Sequence, residues 1–444
     1  MKWALPLLAL QLSSGCARQV ELFPGEADSG AADAGVAWPA WSSYVAKLSL
    51  PDCPAAPVLV VNTASTALTG GRTLDDPALA GPELSFPQAM WIAANRLGPD
   101  TITFDSTVFP PDSPVTILLA GTDELPPDVG PVCLDGRGSG VVLDWTPEGV
   151  ACRAGCFWWL TRGSVQVGLT LKHLPMALQV SDAQVAGCRL GNDGERAYNT
   201  LRPSAVEAYG GAVIGPGNVF TDPIGIRVLN GATGVRIIGN EMGVDPVTFA
   251  DLGLIVGVEL QGEATLDGNL FGETTAEPVR STSVATVATL TNNLIGVDRL
   301  GAPVERLASG FTLAMGSFDV GPGNVIQGTQ SALRVGDGAQ VRITRNSISR
   351  NGAGIVFLGA APVDAPALTL ADASRVQGTC PVAGEVEVFS DSGDQGTSFL
   401  GTATCTAAGA FDLVVSVPGG RNVTATLTDA SARTSAFSAP LAVP

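Results

Sequence analysis

The chain has 444 residues, of which 45% are hydrophobic and 15% charged, with 54 glycines and a formal net charge of −18. A sequence pI of about 4.4 and only three lysines, Lys2, Lys47 and Lys172, exclude the clustered positive charge that nucleic-acid binding needs. A mean hydropathy of +0.28 asks for an extensive buried core, and the length leaves room for two or three domains.

The first residues have the form of an export signal: Lys2, the apolar run Trp3–Leu12, then small residues. The run is too short to span a bilayer. Ser13-Ser14-Gly15-Cys16 resembles a bacterial lipobox, with serine at 13 where leucine is usual. That resemblance implies a signal peptide over residues 1–16, lipidation of Cys16, and a membrane as partner through the lipid. Ala17 stands in place of the aspartate that retains such lipoproteins at the inner membrane, which implies the outer membrane and cell surface of a Gram-negative-type bacterium. Ordinary signal cleavage and secretion is the alternative. Residues 17–40, with Gly, Ala, Asp and Pro, are expected to form a flexible tether.

Residues 41–140 form an N-terminal region. Ser85-Phe-Pro-Gln88 has the form of a capping box with proline in the first turn and predicts a helix over 86–96. Gly98-Pro-Asp100 ends it, and Thr101–Phe104 starts the first strand. This helix, the phrase Gly98-Pro-Asp-Thr-Ile-Thr-Phe-Asp105, Leu125-Pro126 and Leu134-Asp-Gly136 together resemble the N-terminal cap of bacterial surface proteins with right-handed parallel β-helix repeats, a pectate-lyase-like fold. Phe86-Pro-Gln-Ala89 stands where that family usually has Leu-Arg-Glu-Ala. The resemblance implies a helix covering the open end of a solenoid and blunting its strand edge.

From Gly187 to Ser349 one short phrase recurs: a polar residue, any residue, then a large apolar one. Its polar positions are Cys188, Asn218, Asn240, Asn269, Asn293, Asn324 and Asn346. The gaps between them, 30, 22, 29, 24, 31 and 22, alternate long and short, so alternate members lie 52 or 53 apart. Periods of this size mean stacked units, and the apolar alternation with glycine turns means strands. A parallel β-helix is predicted over 141–360, with early strands at Val141–Leu143, Val165–Leu171 and Leu178–Val180. Equivalent asparagines then stack at the strand spacing of about 4.8 Å and form a hydrogen-bonded ladder. The residue two places on points the same way, into the core. Glu273–Arg280 and Asp298–Arg306 read as loops extruded from one corner.

Residues 361–366 are a Pro/Ala linker, and 367–444 change to short alternating strands at Gly384–Ser390, Phe399–Cys405, Phe411–Val417 and Asn422–Asp429. This suggests a small β-sandwich of immunoglobulin-like type. Val386–Ser390, Phe399-Leu-Gly401 and Thr424–Thr428 resemble the small domain that often follows β-helices in the same bacterial surface proteins. The fold class is thus all-β, a right-handed parallel β-helix with a capping helix and a following sandwich.

Eight cysteines fit an oxidising compartment. Removing the lipobox Cys16 leaves an odd number. Cys380 with Cys405, Cys53 with Cys133, and Cys152 with Cys156 are the expected disulfides. Cys188 occupies an asparagine slot and reads as a buried free thiol. No metal site and no cofactor are implied: the only histidine is His173, and Asp391 and Asp394 have the form of turn residues.

The chemistry is sparse. Lys172-His173 beside an early strand is a candidate catalytic base, with Arg227 as a further candidate; a strand-end turn is the plainer account of the pair. Arg227 and Arg334 precede a ladder asparagine by 13 and 12 residues, and Arg236 and Arg342 each by four. Facing outward near Glu259, Thr265, Thr289 and Thr312, these four arginines are candidate glycan contacts. The expected function is a non-enzymatic, lipid-tethered surface protein of structural or adhesion type, contacting a polysaccharide or cell-surface partner through the β-helix face or loops. The alternative is a carbohydrate-active enzyme, a polysaccharide lyase or glycoside hydrolase of the same fold.

Overall fold

The structure, a computed structural model, describes residues 45–444 except 56, 80, 97, 120–124, 127–129, 146–157, 162, 175–176, 192–203, 244–254, 273–276, 298–308 and 407–408. The signal, Cys16, the tether, the Cys152/Cys156 pair and the Asp298–Arg306 insertion lie outside the described residues.

The chain winds as a parallel β-helix with three strands per coil. One coil shows the pattern: Ile224–Val228 on a first face, Val235–Ile238 on a second and Glu241–Met242 on a third. Each strand pairs in parallel with its counterpart in the next coil: Val256–Leu260, Glu263–Asp267 and Leu270–Phe271. Among the described residues the first two faces count as one 18-stranded sheet, the third as a 10-stranded sheet. They merge because Phe311–Val320 and Leu333–Ile343 each run across the edge between them.

The polar repeat stands at the corner between second and third faces. The backbone must turn sharply there, and the residue before each ladder position is left-handed: φ is 59° at Gly187, 77° at Gly217 and 61° at Gly239, and it remains positive where Asn292 (54°) and Arg345 (48°) replace glycine. Each asparagine then joins its neighbours. Asn218 Nδ2 donates to Asn240 Oδ1 at 2.9 Å, Asn240 to Asn269 at 2.9 Å and Asn269 to Asn293 at 3.0 Å. Asn293 donates to Asn324 at 2.9 Å and Asn324 to Asn346 at 2.8 Å. The second Nδ2 hydrogen goes to a backbone carbonyl of the preceding coil, as from Asn293 to Leu266. Oδ1 also accepts a backbone N–H from the preceding ladder residue, as from Asn269 to Asn293. Asn218 through Asn324 are fully buried, and Leu190, Phe220, Met242, Phe271, Ile295 and Ile326, two residues after ladder positions, are likewise 0% exposed. Cys188 closes the column as a buried free thiol, its backbone N–H donating to Asn218 Oδ1.

The alternation of long and short gaps arises between the third and first faces. The stretches from Leu190 to Val206, Met242 to Val256 and Ile295 to Phe311 are long, and those from Phe220 to Ile224, Phe271 to Glu277 and Ile326 to Leu333 are short. One expectation is corrected here. Glu273–Arg280 is not wholly an extruded loop, because Glu277–Ser281 is a strand of the first face paired on both sides.

At the N-terminal end, helix Phe86–Asn95 lies over strands Val58–Val61 and Asp100–Phe104, burying Phe86, Ala89, Met90 and Ile92. Ser85 Oγ caps it by accepting from Gln88 N. Rather than reaching back to complete a capping box, the Gln88 side chain ties down the preceding turn through Gly70 N and Gly71 O. The segment before the first strand runs back along the ladder corner, pinned by the Cys53–Cys133 disulfide and by Arg137 Nη1 donating to Pro51 O. Leu48 packs so closely on Gly239 that a Cβ there would lie 2.7 Å from Leu48 Cδ1.

Residues 367–444 form a sandwich-like pair of antiparallel sheets. One has Ala367–Asp372, Arg375–Thr379 and Ala410–Val414; the other has Gly384–Asp391, Ser398–Cys405, Asn422–Asp429 and Leu441–Ala442. Val376, Val386, Val423, Ala425 and Leu427 fill the space between, and Cys380–Cys405 links the sheets. This unit is docked on the last coil. Thr434 exchanges hydrogen bonds with Val341 O and Ile343 N, Ile348 and Gly396 exchange two backbone bonds of 2.9 Å, and Asn351 pairs with Gln395.

Replacing Asn293 by alanine removes two donations and two acceptances inside the core and leaves neighbouring polar groups unpaired. We expect a loss of about 3–5 kcal/mol, read as a lower urea midpoint with an unchanged slope; a change under about 1 kcal/mol would contradict the role given to the ladder.

Candidate functional site

Because side chains alternate in and out along a strand, the parallel register lines up one outward residue per coil on the first face. Ile226 and Val228 are fully buried, so Arg227 between them points out. Register carries its column from Trp159 through Gln179, Glu207, Arg227, Glu259, Arg280, Thr312 and Arg334 to Val356. From Gln179 to Arg334 every member carries a hydrogen-bonding side chain. Those six steps of about 4.8 Å make a polar strip of roughly 29 Å.

The centre of the strip is electrostatically closed. Glu259 is 4% exposed and lies between two guanidinium groups. Arg227 Nε donates to its Oε1 at 3.0 Å, Arg280 Nε to its Oε2 at 3.0 Å with Nη2 alongside, and Gln261 Nε2 to its Oε1 at 2.8 Å. Burial alone would raise this carboxyl. The Arg280 hydrogen bonds, the Arg227 and Arg280 charges and the Gln261 bond outweigh it and hold the group below the ordinary glutamate range. Glu259 is therefore a fixed anion that cannot serve as a general acid, which needs a raised value.

Toward the N-terminal end Gln179 Nε2 donates to Glu207 Oε2 at 3.1 Å, and the Trp159 and Tyr209 rings stack at 5.5 Å. Toward the C-terminal end Arg334 is half-buried and makes no ion pair among the described residues, and the hydroxyl of Thr312 has no partner there.

The sequence candidates divide between faces. Arg227 and Arg334 share the first-face column. Arg236 and Arg342 are exposed on the second face, in a column with Thr265, Thr289 and Asp319 between them. Lys172 ends a third-face strand, and His173 follows with a left-handed φ of 49°. His173 Nδ1 lies 2.7 Å from Asp144 Oδ1, and Asp144 is the register partner of Lys172. The structure thus gives His173 an orienting carboxylate but sets it at a different part of the coil from Arg227. No group of three or more His, Cys, Asp or Glu suited to a metal occurs among the described residues. Arg280 and Glu207 were missed as site residues because only strand register brings them beside Glu259 and Arg227. Arg280 nevertheless keeps the spacing that flagged Arg227, 13 residues before a ladder asparagine, here Asn293, whereas Glu207 does not.

No protein-family model matches the chain, and no curated protein matches it. Among solved structures it is similar to endopolygalacturonase I from Stereum purpureum complexed with two galacturonate, at 14% identity and a TM-score of 0.32, over 58% of this chain and 85% of that one. It is also similar to a double mutant of the tailspike protein of E. coli bacteriophage HK620, at 11% identity and a TM-score of 0.23, over 74% and 80% of the two chains. By its own strand register this chain is a parallel β-helix protein with a C-terminal sandwich-like unit.

Glu259→Gln should cost about 2–4 kcal/mol at pH 7, since it leaves two partly buried guanidiniums without their anion. A carboxylate held low contributes stability above its unfolded value and loses it as pH falls through the folded one. The gap between wild type and variant in urea unfolding should therefore narrow below about pH 4; a gap independent of pH would contradict the clamp.

Proposed function

We propose that this protein is an exported, lipid-anchored surface rod of structural or adhesion type that contacts glycans through the outer column of its first face without cleaving them. The observation that carries this reading is the unbroken polar strip from Gln179 to Arg334. The guanidinium groups of Arg227, Arg280 and Arg334, each part-exposed along the strip, suit the hydroxyl-rich edge of an extended polysaccharide, and the clamped Glu259 suits recognition better than proton transfer. Anchoring rests on the lipobox-like Ser13–Cys16, with the outer membrane of a Gram-negative-type bacterium as the location. The disulfides Cys53–Cys133 and Cys380–Cys405 agree with export. The C-terminal unit is proposed to be of immunoglobulin-like type.

One observation favours a second reading, a polysaccharide lyase or glycoside hydrolase: the only histidine is held by a carboxylate, Asp144, as a general base often is.

The purified anchor-free fragment, residues 17–444, tested on a glycan array beside assays for new unsaturated and reducing ends, separates the two. Binding without cleavage is expected. Arg334→Ala should weaken it about tenfold, or about 1.4 kcal/mol, whereas Arg236→Ala on the second face should leave it unchanged. Cleavage that disappears in His173→Ala would establish the second reading in its place. Cys16→Ser is expected to shift the full chain from the membrane to the soluble fraction of exporting cells; unchanged membrane association would remove the anchor.

A further inference from the structure

We propose that the sandwich is a proton-sensitive cap: with a proton on Glu387 the seam to the last coil is closed tightly, and loss of that proton loosens it and bares the coil's strand edge. Glu387 lies in strand Gly384–Asp391 of the sandwich and is 2% exposed. Its side chain faces the β-helix, where Oε2 accepts the backbone N–H of Arg345 at 2.8 Å. Oε1 has no hydrogen-bond partner among the described residues. The register partners on the two flanking strands, Thr402 and Thr426, are uncharged.

The charged groups facing Glu387 are few. Glu385 on its own strand adds like charge, and Arg345 and Arg342 of the last coil oppose it. The Arg345 guanidinium approaches only to 4.0 Å and is 59% exposed, with its carbon 5.6 Å from the Phe399 ring centroid. Much of its charge is therefore screened by water. Glu259 provides the internal comparison. Its side chain is likewise nearly inaccessible, though less deeply enclosed, and two guanidiniums donate to it directly and hold it low. At Glu387 burial is the largest influence and lifts the carboxyl from 4.5 to about 7.

The direction of the effect follows from linkage. The closed seam binds the proton more tightly than the open one, so closure is strongest below about pH 4.5 and weakens as pH rises through about 7. Opening would uncover the backbone groups at Ile343, Arg345 and Ile348 that the sandwich now satisfies. Such a row of free donors and acceptors is a template for adding another strand.

Hydrogen exchange of the full chain, corrected for intrinsic rates, reads the opening directly. Between pH 5 and pH 8 the opening constant at Ile343, Arg345 and Ile348 should rise on the order of a hundredfold, while the ladder amide of Asn269 stays constant. Glu387→Gln should make the seam insensitive to pH. Seam amides that do not respond in the wild type, or that respond equally in Glu387→Gln, overturn the proposal. If that variant does not fold, the exposed Glu385→Gln carries the test: losing the like charge should move the midpoint to lower pH, and an unmoved midpoint overturns the proposal as well.

Discussion

In a solenoid each coil touches only the coils above and below, so the stability of the whole is a sum over neighbouring contacts. A turn that carries polar backbone into the core is the weak point of such a stack, since a buried group without a partner costs about 1–3 kcal/mol. The asparagine side chain resolves this at every turn. Asn240, Asn269, Asn293 and Asn324 each offer two donor hydrogens and an acceptor oxygen, and carbonyl, neighbouring amide and backbone N–H use them within the column. The ladder fixes where each coil turns, and so fixes register on all three faces. A slip of one residue in a coil would place an asparagine against Leu270 or Leu294 instead of the next asparagine and reverse every side chain in the strand that follows.

Fixed register leaves the outer columns free to vary, and their charges show how they are kept from destabilising the rod. Like charges stacked at strand spacing repel, so a carboxylate column is costly in a chain with net charge −18. The first face instead alternates sign, with Glu207, Arg227, Glu259 and Arg280 in successive coils. The alternation stops at Thr312 and Arg334, where the compensation within the column stops too. That end of the strip keeps the part-exposed positive charge of Arg334, which is open to an external acceptor, while the Thr312 hydroxyl is buried without a partner among the described residues.

What the sequence revealed followed one rule: features that repeat along the chain are legible, and features made by crossing between coils or domains are not. The ladder positions, the buried residue two places on, the capping helix and most sandwich strands are local patterns, and the structure has them. Strand Glu277–Ser281 was hidden because the segment begins with Glu and Pro, and the polarity of Arg280 belongs to its ion pair with Glu259, 21 residues away in sequence. The four arginines looked equivalent because each keeps a constant distance from an asparagine, yet constant distances of 4 and of 12 or 13 residues fall on different faces. Strands Ala367–Asp372 and Arg375–Thr379 went unnoticed because their hairpin is short and their alternation is broken at Leu368/Leu370.

The two ends of the rod solve one problem by different physics. An open coil end exposes both apolar core and unpaired strand edge. The N-terminal end is closed mainly by burial, with Phe86, Met90 and Ile92 set against the first coil, an interaction that pH hardly touches. The C-terminal end is closed by Phe437 of the sandwich packing on the core and, above all, by hydrogen bonds running along the sides of the coil, from Thr434 at the second face, Glu387 at the ladder corner and Gly396 at the third face. Hydrogen bonds satisfy the edge more completely than apolar contact does, but they require polar groups to be buried, and one of them is a carboxylic acid. The linker between coil and sandwich therefore does not separate two independent bodies. It lets the chain return on itself and place a second domain as the lid of the first.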